Sequence, residues 1–137
     1  MKDLIWTESG MPDDPVTGRK RTMHVCELEV PEDAGAVPGD TRPDGRPAAY
    51  VMTVSCFGGD IVRLKLAYEG AHTVEAFSHG TLGGLDLDEY KARLVEMAAG
   101  YFENNTSELK GTIADSFRGI RRNDAMLALL GMEGGAT

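Results

Sequence analysis

Apolar side chains recur at every second position up to Gly83-Gly84 and at every third or fourth position beyond it. A period of two turns one face of an extended strand toward a core, and a period near 3.6 does the same for a helix. The switch predicts an α+β domain: a four- to five-stranded antiparallel meander followed by two to three C-terminal helices packed on one face. The sheet part is expected over about residues 1–78 and the helical part over 86–131, within a single domain spanning 1–137.

The first segment, Leu4 to Thr7, reads as a short edge strand. Ser9-Gly10-Met11-Pro12-Asp13-Asp14-Pro15 follows and reads as irregular, because its Gly, Pro and Asp residues favour turns over ladders. The basic triplet Arg19-Lys20-Arg21 is then expected in a solvated loop. From Met23 to Val30 the alternation places His24, Cys26, Leu28 and Val30 on one face and Val25, Glu27 and Glu29 on the other. His24 is therefore expected to be a core or rim histidine rather than a ligand. Tyr50, Met52, Val54 and Cys56 share a face of the next strand, and Val62, Leu64, Leu66 and Tyr68 share a face of the one after it. His72, Val74 and Ala76 continue the pattern opposite Thr73, Glu75 and Phe77. Gly58-Gly59 and Glu69-Gly70 supply the tight turns of a meander, and Ser78 to Gly84 reads as a flexible connector.

Helical spacing begins at Asp86, whose carboxylate suits the free amides of a first turn, with Glu89 three residues later as in a capping box. Leu87, Tyr90, Leu94, Met97, Ala98 and Tyr101 form the buried stripe, and Asn104-Asn105 is expected to end the helix. A second helix is expected from Asn105 or Thr106, with Leu109, Ile113, Phe117 and Ile120 buried. Asp124 reads as the cap of a short third helix, Ala125 to Leu130, closed by Gly131.

Length and charge sharpen the picture. The chain has 137 residues, 42% hydrophobic and 26% charged, within the ordinary globular range. No apolar run approaches the roughly 20 residues that span a bilayer. The stretch Met1 to Trp6 has too short an apolar part for a signal peptide, so cytoplasmic residence is expected, with no membrane partner. Cys26 and Cys56, outside any C-x-x-C unit, fit reduced core residues. The net charge of −8 opposes binding to phosphate backbones, so no direct nucleic-acid contact is expected. Glu27, Glu29, Glu32, Asp33, Asp40 and Asp44 concentrate acid on one strand and its following loop, opposed within that stretch by Arg42 alone. That loop, Pro31 to Pro47, carries four prolines and is the candidate recognition or disordered segment.

Motifs for chemistry are scarce. Cys56 before Gly58-Gly59 has the look of a nucleophile beside backbone amides, but it falls on an apolar strand face. His79 with Asp86, Asp88 and Glu89 offers metal-ligand types without a spacing that fixes two of them, and helix capping already accounts for Asp86 and Glu89. No phosphate-binding glycine motif is present. No catalytic residue, metal or cofactor is therefore assigned. Arg118, Arg121 and Arg122, at i, i+3 and i+4, are candidate contacts for an anion or an acidic partner. A helix-turn-helix reading of 107–130 fails because the second helix, Ala125 to Leu130, is apolar throughout, whereas base edges need polar readers.

The expectation is a non-enzymatic acidic protein that binds, and inhibits or modulates, a basic protein partner such as a nuclease, in the manner of immunity proteins and phage-encoded inhibitors. Its contact residues would be Glu27, Glu29, Glu32, Asp33, Asp40 and Asp44. Two alternatives stand beside it. One is a small-ligand-binding domain or enzyme with Tyr50, Tyr68, His72, His79 and Tyr90 in a cleft between sheet and helices. The other is an assembly subunit that forms a homodimer through Met126 to Leu130.

Overall fold

The structure is a computed structural model that describes residues 4–13, 15–16, 18–31, 40–57, 61–109 and 116–131. The expectations placed on Glu32, Asp33, Asp14, Gly58-Gly59 and Ile113 lie outside these residues, as do those on the side chains of Leu109, Phe117 and Arg118. The elements are β1 (Thr7–Met11), β2 (Arg21–Glu29), β3 (Ala49–Cys56), β4 (Ile61–Glu69), β5 (Thr73–Leu82), α1 (Leu87–Leu109) and α2 (Ser116–Leu129). The strands form one five-stranded sheet in sequence order, every neighbour antiparallel, so the meander and the α+β architecture are as the periodicity indicates.

One face of the sheet holds the core. His24, Cys26 and Leu28 of β2 stand opposite Val54, Met52 and Tyr50 of β3, which in turn stand opposite Leu64, Leu66 and Tyr68 of β4. α1 lies over β3 and β4, and α2 packs along α1. Tyr90, Leu94, Ala98 and Phe102 of α1 and Met126, Leu127 and Leu130 at the end of α2 close the core, with Phe102 its bulkiest fully buried side chain. Phe102 lies edge-on to Tyr50 with ring centroids 4.8 Å apart. Asp86 caps α1, its Oδ1 accepting from the Glu89 amide at 2.8 Å.

Several boundaries differ from the sequence reading. The edge strand is Thr7–Met11 rather than Leu4–Thr7, because the register with Arg21–Val25 brings Ser9-Gly10-Met11 into the ladder. Arg21 opens β2 instead of ending a loop, and its Nε donates to the Pro12 carbonyl at 2.7 Å. The sheet continues to Leu82, so Ser78–Leu82 is strand and not connector. The ladder shifts between Leu66 and Ala67, which face Phe77 and Glu75 and leave Ala76 as the extra residue of a bulge. The bulge puts Phe77 opposite Leu66, where it packs against the core with Ala76 while Val74 is left 60% exposed, and strict alternation cannot anticipate that. Among the described residues the helices number two. α1 runs through Asn104-Asn105 to Leu109, and α2 runs continuously through Asp124, so Ala125–Leu130 is its last part rather than a third helix. Gly131, at φ +80°, does close it, its amide donating to the Ala128 carbonyl.

Cys26 and Cys56 are both free. Their strands are neighbours, but Cys26 faces Met52 and Cys56 faces Thr22, an offset of four residues. At about 3.3 Å per residue they stand roughly 13 Å apart along the ladder, beyond disulfide reach.

Candidate functional site

The acidic strand and residues 40–47 at the end of the following loop form a built structure. Pro43, Asp44 and Gly45 make a tight turn: the Gly45 amide donates to the Arg42 carbonyl and the Arg42 amide to the Arg46 carbonyl, each at 2.8 Å. Proline pre-sets the entry of such a turn, and only glycine adopts the φ of +88° found at Gly45 without strain. A bridge between Thr41 and Pro47 completes a small hairpin. The hairpin carries Arg42 inward to 4% exposure, where its guanidinium meets Glu27 at 3.0 Å, Glu29 at 3.4 Å and the Pro47 carbonyl at 2.9 Å. Arg46 reaches Glu27 at 3.2 Å and Asp44 at 2.6 Å. The Asp44 carboxyl is held below its usual range, first by the Arg46 backbone amide and then by its side chain.

The predicted partner residues therefore divide. Glu27, Glu29 and Asp44 sit together, but three carboxylates face two guanidinium groups, so most of their charge is answered within the chain. Arg46 falls just beyond the acidic stretch, which is why the sequence reading saw Arg42 alone. Asp40 belongs to another cluster. It accepts from the Ala71 amide at 2.8 Å and from the Tyr68 hydroxyl, and these two bonds hold its carboxyl below the usual range. Gly70 lets Asp40 approach, since a Cβ there would lie 2.5 Å from Oδ1. Burial, followed by the Asp40 bond, pushes Tyr68 up to about 12.

Beside Glu27 and Glu29 runs an open groove of about 640 Å³, lined by Leu4, Ile5, residues 26–31, Pro47 and Leu129. The sequence reading missed its walls because they come from four distant segments. The groove exists because β1 stops short. The Val30 amide donates to Ala48 in line with β3, and bonding direction alternates along an antiparallel strand. Cys26 and Leu28 therefore also turn their backbone groups toward β3, while Val25, Glu27 and Glu29 turn theirs the other way. Thr7 pairs with Val25, and the chain before it leaves the ladder. Leu4 and Trp6 pack against the core, and Ile5 is 77% exposed. Among the described residues no backbone bond reaches the outer edge at Glu27 or Glu29. Cys26, deep beneath the groove, has its thiol pushed up to about 11 by burial.

The cleft alternative is also split by the structure. Tyr50 and Tyr68 have ring centroids 5.2 Å apart, and the Arg122 guanidinium lies 5.4 Å over Tyr68. Burial raises the Tyr50 hydroxyl above its usual range. His72 is exposed beside Asp40. His79 lies against Phe77, on β5. Tyr90 accepts from the Leu85 amide at 3.3 Å and lines a separate cavity of about 180 Å³ with Cys56, Val62 and Leu87. Of the arginine trio, Arg121 is exposed and itself engaged, Arg122 turns inward over Tyr68, and Arg118 lies in the first turn of α2. The Met126–Leu130 segment has Met126, Leu127 and Leu130 in the core, leaving Ala128 and part of Leu129 at the surface.

Among the described residues, no group of three or more histidine, cysteine or carboxylate side chains is placed to hold a metal ion. None of their helices is long and apolar enough to cross a membrane. No protein-family model matches the chain, and neither a curated protein nor a solved structure is significantly similar to it.

Proposed function

We propose that this chain is a non-enzymatic binding protein that modulates a basic protein partner through the groove on the outer edge of β2. The observation that carries the reading is the coincidence of an apolar groove, a strand edge left unpaired by the described residues, and the Glu27 and Glu29 carboxylates in one place. The groove supplies apolar area to bury, which bare surface charge cannot. The carboxylates supply sign: Glu29 remains 56% exposed and makes one contact of 3.4 Å with Arg42, so it has capacity for a second cation. The overall charge of −8 speeds encounter with a basic surface.

The test is capture from native lysate at low salt with the wild-type chain and with Ile5→Asp and Glu29→Lys. Both positions are exposed, but Glu29→Lys gives up the 3.4 Å contact with Arg42, so circular dichroism and a melting curve are used to confirm that each variant is folded. A basic protein retained by the wild type, released by salt and lost from both variants is expected. Equal retention by all three chains would overturn the reading.

A second reading is supported by the Tyr50–Tyr68–Arg122 corner, where the buried Arg122 Nε has no acceptor among the described residues. A small anionic ligand accepting from Arg122 and the Tyr50 hydroxyl would satisfy it, since the Tyr68 hydroxyl already donates to Asp40. A melting shift with inorganic phosphate or short carboxylates, abolished by Arg122→Gln, is the expected sign, and its absence would remove this reading.

A further inference from the structure

The outward groups of β2 define how a partner would bind, and this inference rests on the function proposed above. Glu27 and Glu29 present N–H and C=O groups away from β3, and the described chain offers them no ladder partner. An unpaired strand edge is a template for another extended chain. From Glu27 to Pro31 the edge is five residues long, or about 16 Å at 3.3 Å per residue. Pro31 limits it, since proline has no N–H to donate. On the core side of this edge lie Leu28, Val30 and Leu129, and on the opposite side lie the Glu27 and Glu29 carboxylates. A chain seated here meets apolar surface with every second side chain and acid with the others.

We propose that the edge from Glu27 to Pro31 takes an extended segment of the partner by strand addition, its backbone bonding Glu27 and Glu29. The segment alternates apolar and basic residues. Its apolar side chains enter the groove beside Leu28, Val30 and Leu129, and a lysine or arginine meets the exposed Glu29 carboxylate. A flat acidic contact surface would need no backbone pairing, so the two modes separate experimentally.

The probe is the peptide acetyl-Lys-Val-Lys-Val-Lys-amide, titrated into the whole chain while amide exchange is followed. The Glu27 and Glu29 amides should gain tenfold or more in protection. N-methylation of alternate peptide residues should abolish binding, and replacing its lysines by glutamates should weaken it at least tenfold. Glu29→Pro removes the outward N–H, and Glu29→Gln keeps it while losing the charge. The first should eliminate binding and the second should only weaken it. Equal binding of the N-methylated peptide, or of Glu29→Pro and Glu29→Gln, would overturn strand addition. So would a dimer in sedimentation that protects the same amides without peptide, or a tenfold gain in affinity on deleting residues 1–3. Those two results would make a second copy or the chain's own terminus the occupant. If lysate capture persists while the peptide leaves the edge unprotected, strand addition fails and the broader function stands; if both fail, both readings fall.

Discussion

Replacing Arg42 by Met should loosen the hairpin that walls the groove, and the structure gives the size of the effect. The Arg42 side chain is 4% exposed and makes three polar contacts, to Glu27, Glu29 and the Pro47 carbonyl. A hydrogen bond from a charged donor to a carbonyl contributes about 1.5–3 kcal/mol. The two carboxylates are 38% and 56% exposed, so solvent screening limits both ion pairs together to about 1 kcal/mol. Methionine retains the buried methylenes, and the remaining loss is about 2–4 kcal/mol. At about 3–4 °C per kcal/mol for a chain of this length, Tm should fall by about 6–16 °C. Arg42→Lys should fall between the two, since an ammonium cannot address the carbonyl and both carboxylates in one plane. Urea unfolding gives the stability directly, and limited proteolysis at 41–47 reports the hairpin. A loss under about 0.5 kcal/mol, the scale of a surface substitution, would refute the claim that Arg42 organises this region.

Other outcomes follow from single contacts. Gly70→Ala places a Cβ 2.5 Å from the Asp40 carboxylate; it should cost about 1–2 kcal/mol by breaking the Asp40 bonds, and the cost should vanish in an Asp40→Ala background. Because Asp40 is held low by the Ala71 amide and the Tyr68 hydroxyl, its contribution is present above the unfolded pKa of about 3.9 and is lost as pH falls through the depressed folded value. Asp40→Asn should therefore flatten the acid limb of a urea-midpoint profile, and an unchanged limb would contradict the assignment. Tyr68 has the opposite sign: raised to about 12, it contributes below the unfolded value of about 10 and loses that contribution as pH climbs toward 12, a loss Tyr68→Phe should remove from the alkaline limb. Phe102→Ala empties the most voluminous fully buried site and should cost about 3–5 kcal/mol in the same assay; under about 1 kcal/mol would mean that the helices do not pack on β3 as described.

Periodicity made the architecture legible because β2 and β4 are buried mainly on one face, so Cys26 and Leu28, and Val62, Leu64 and Leu66, alternate with charged residues. It failed where pairing rather than side-chain chemistry decides. Ser9-Gly10-Met11 is strand because β2 pairs with it, and His79 is strand because it pairs with Leu64 beyond the bulge at Ala76. α2 runs through Asp124 although aspartate suits a cap, since the packing of Met126 and Leu127 against the core outweighs that local preference. The candidate site was half legible. Glu27 and Glu29 stood out by charge, but Ile5, Pro47 and Leu129 become neighbours only through tertiary folding. The neutralising role of Arg42 depends on a Pro-Asp-Gly turn whose inward direction no local pattern specifies.

The most direct measurement is amide hydrogen exchange along β2 in the free chain. The account predicts alternation: Cys26 and Leu28, bonded to β3, exchange slowly, while Glu27 and Glu29, turned to the open edge, exchange faster by on the order of a hundredfold or more. Uniform protection from Cys26 to Glu29 would mean that the edge is already paired, and the docking site proposed here would not exist.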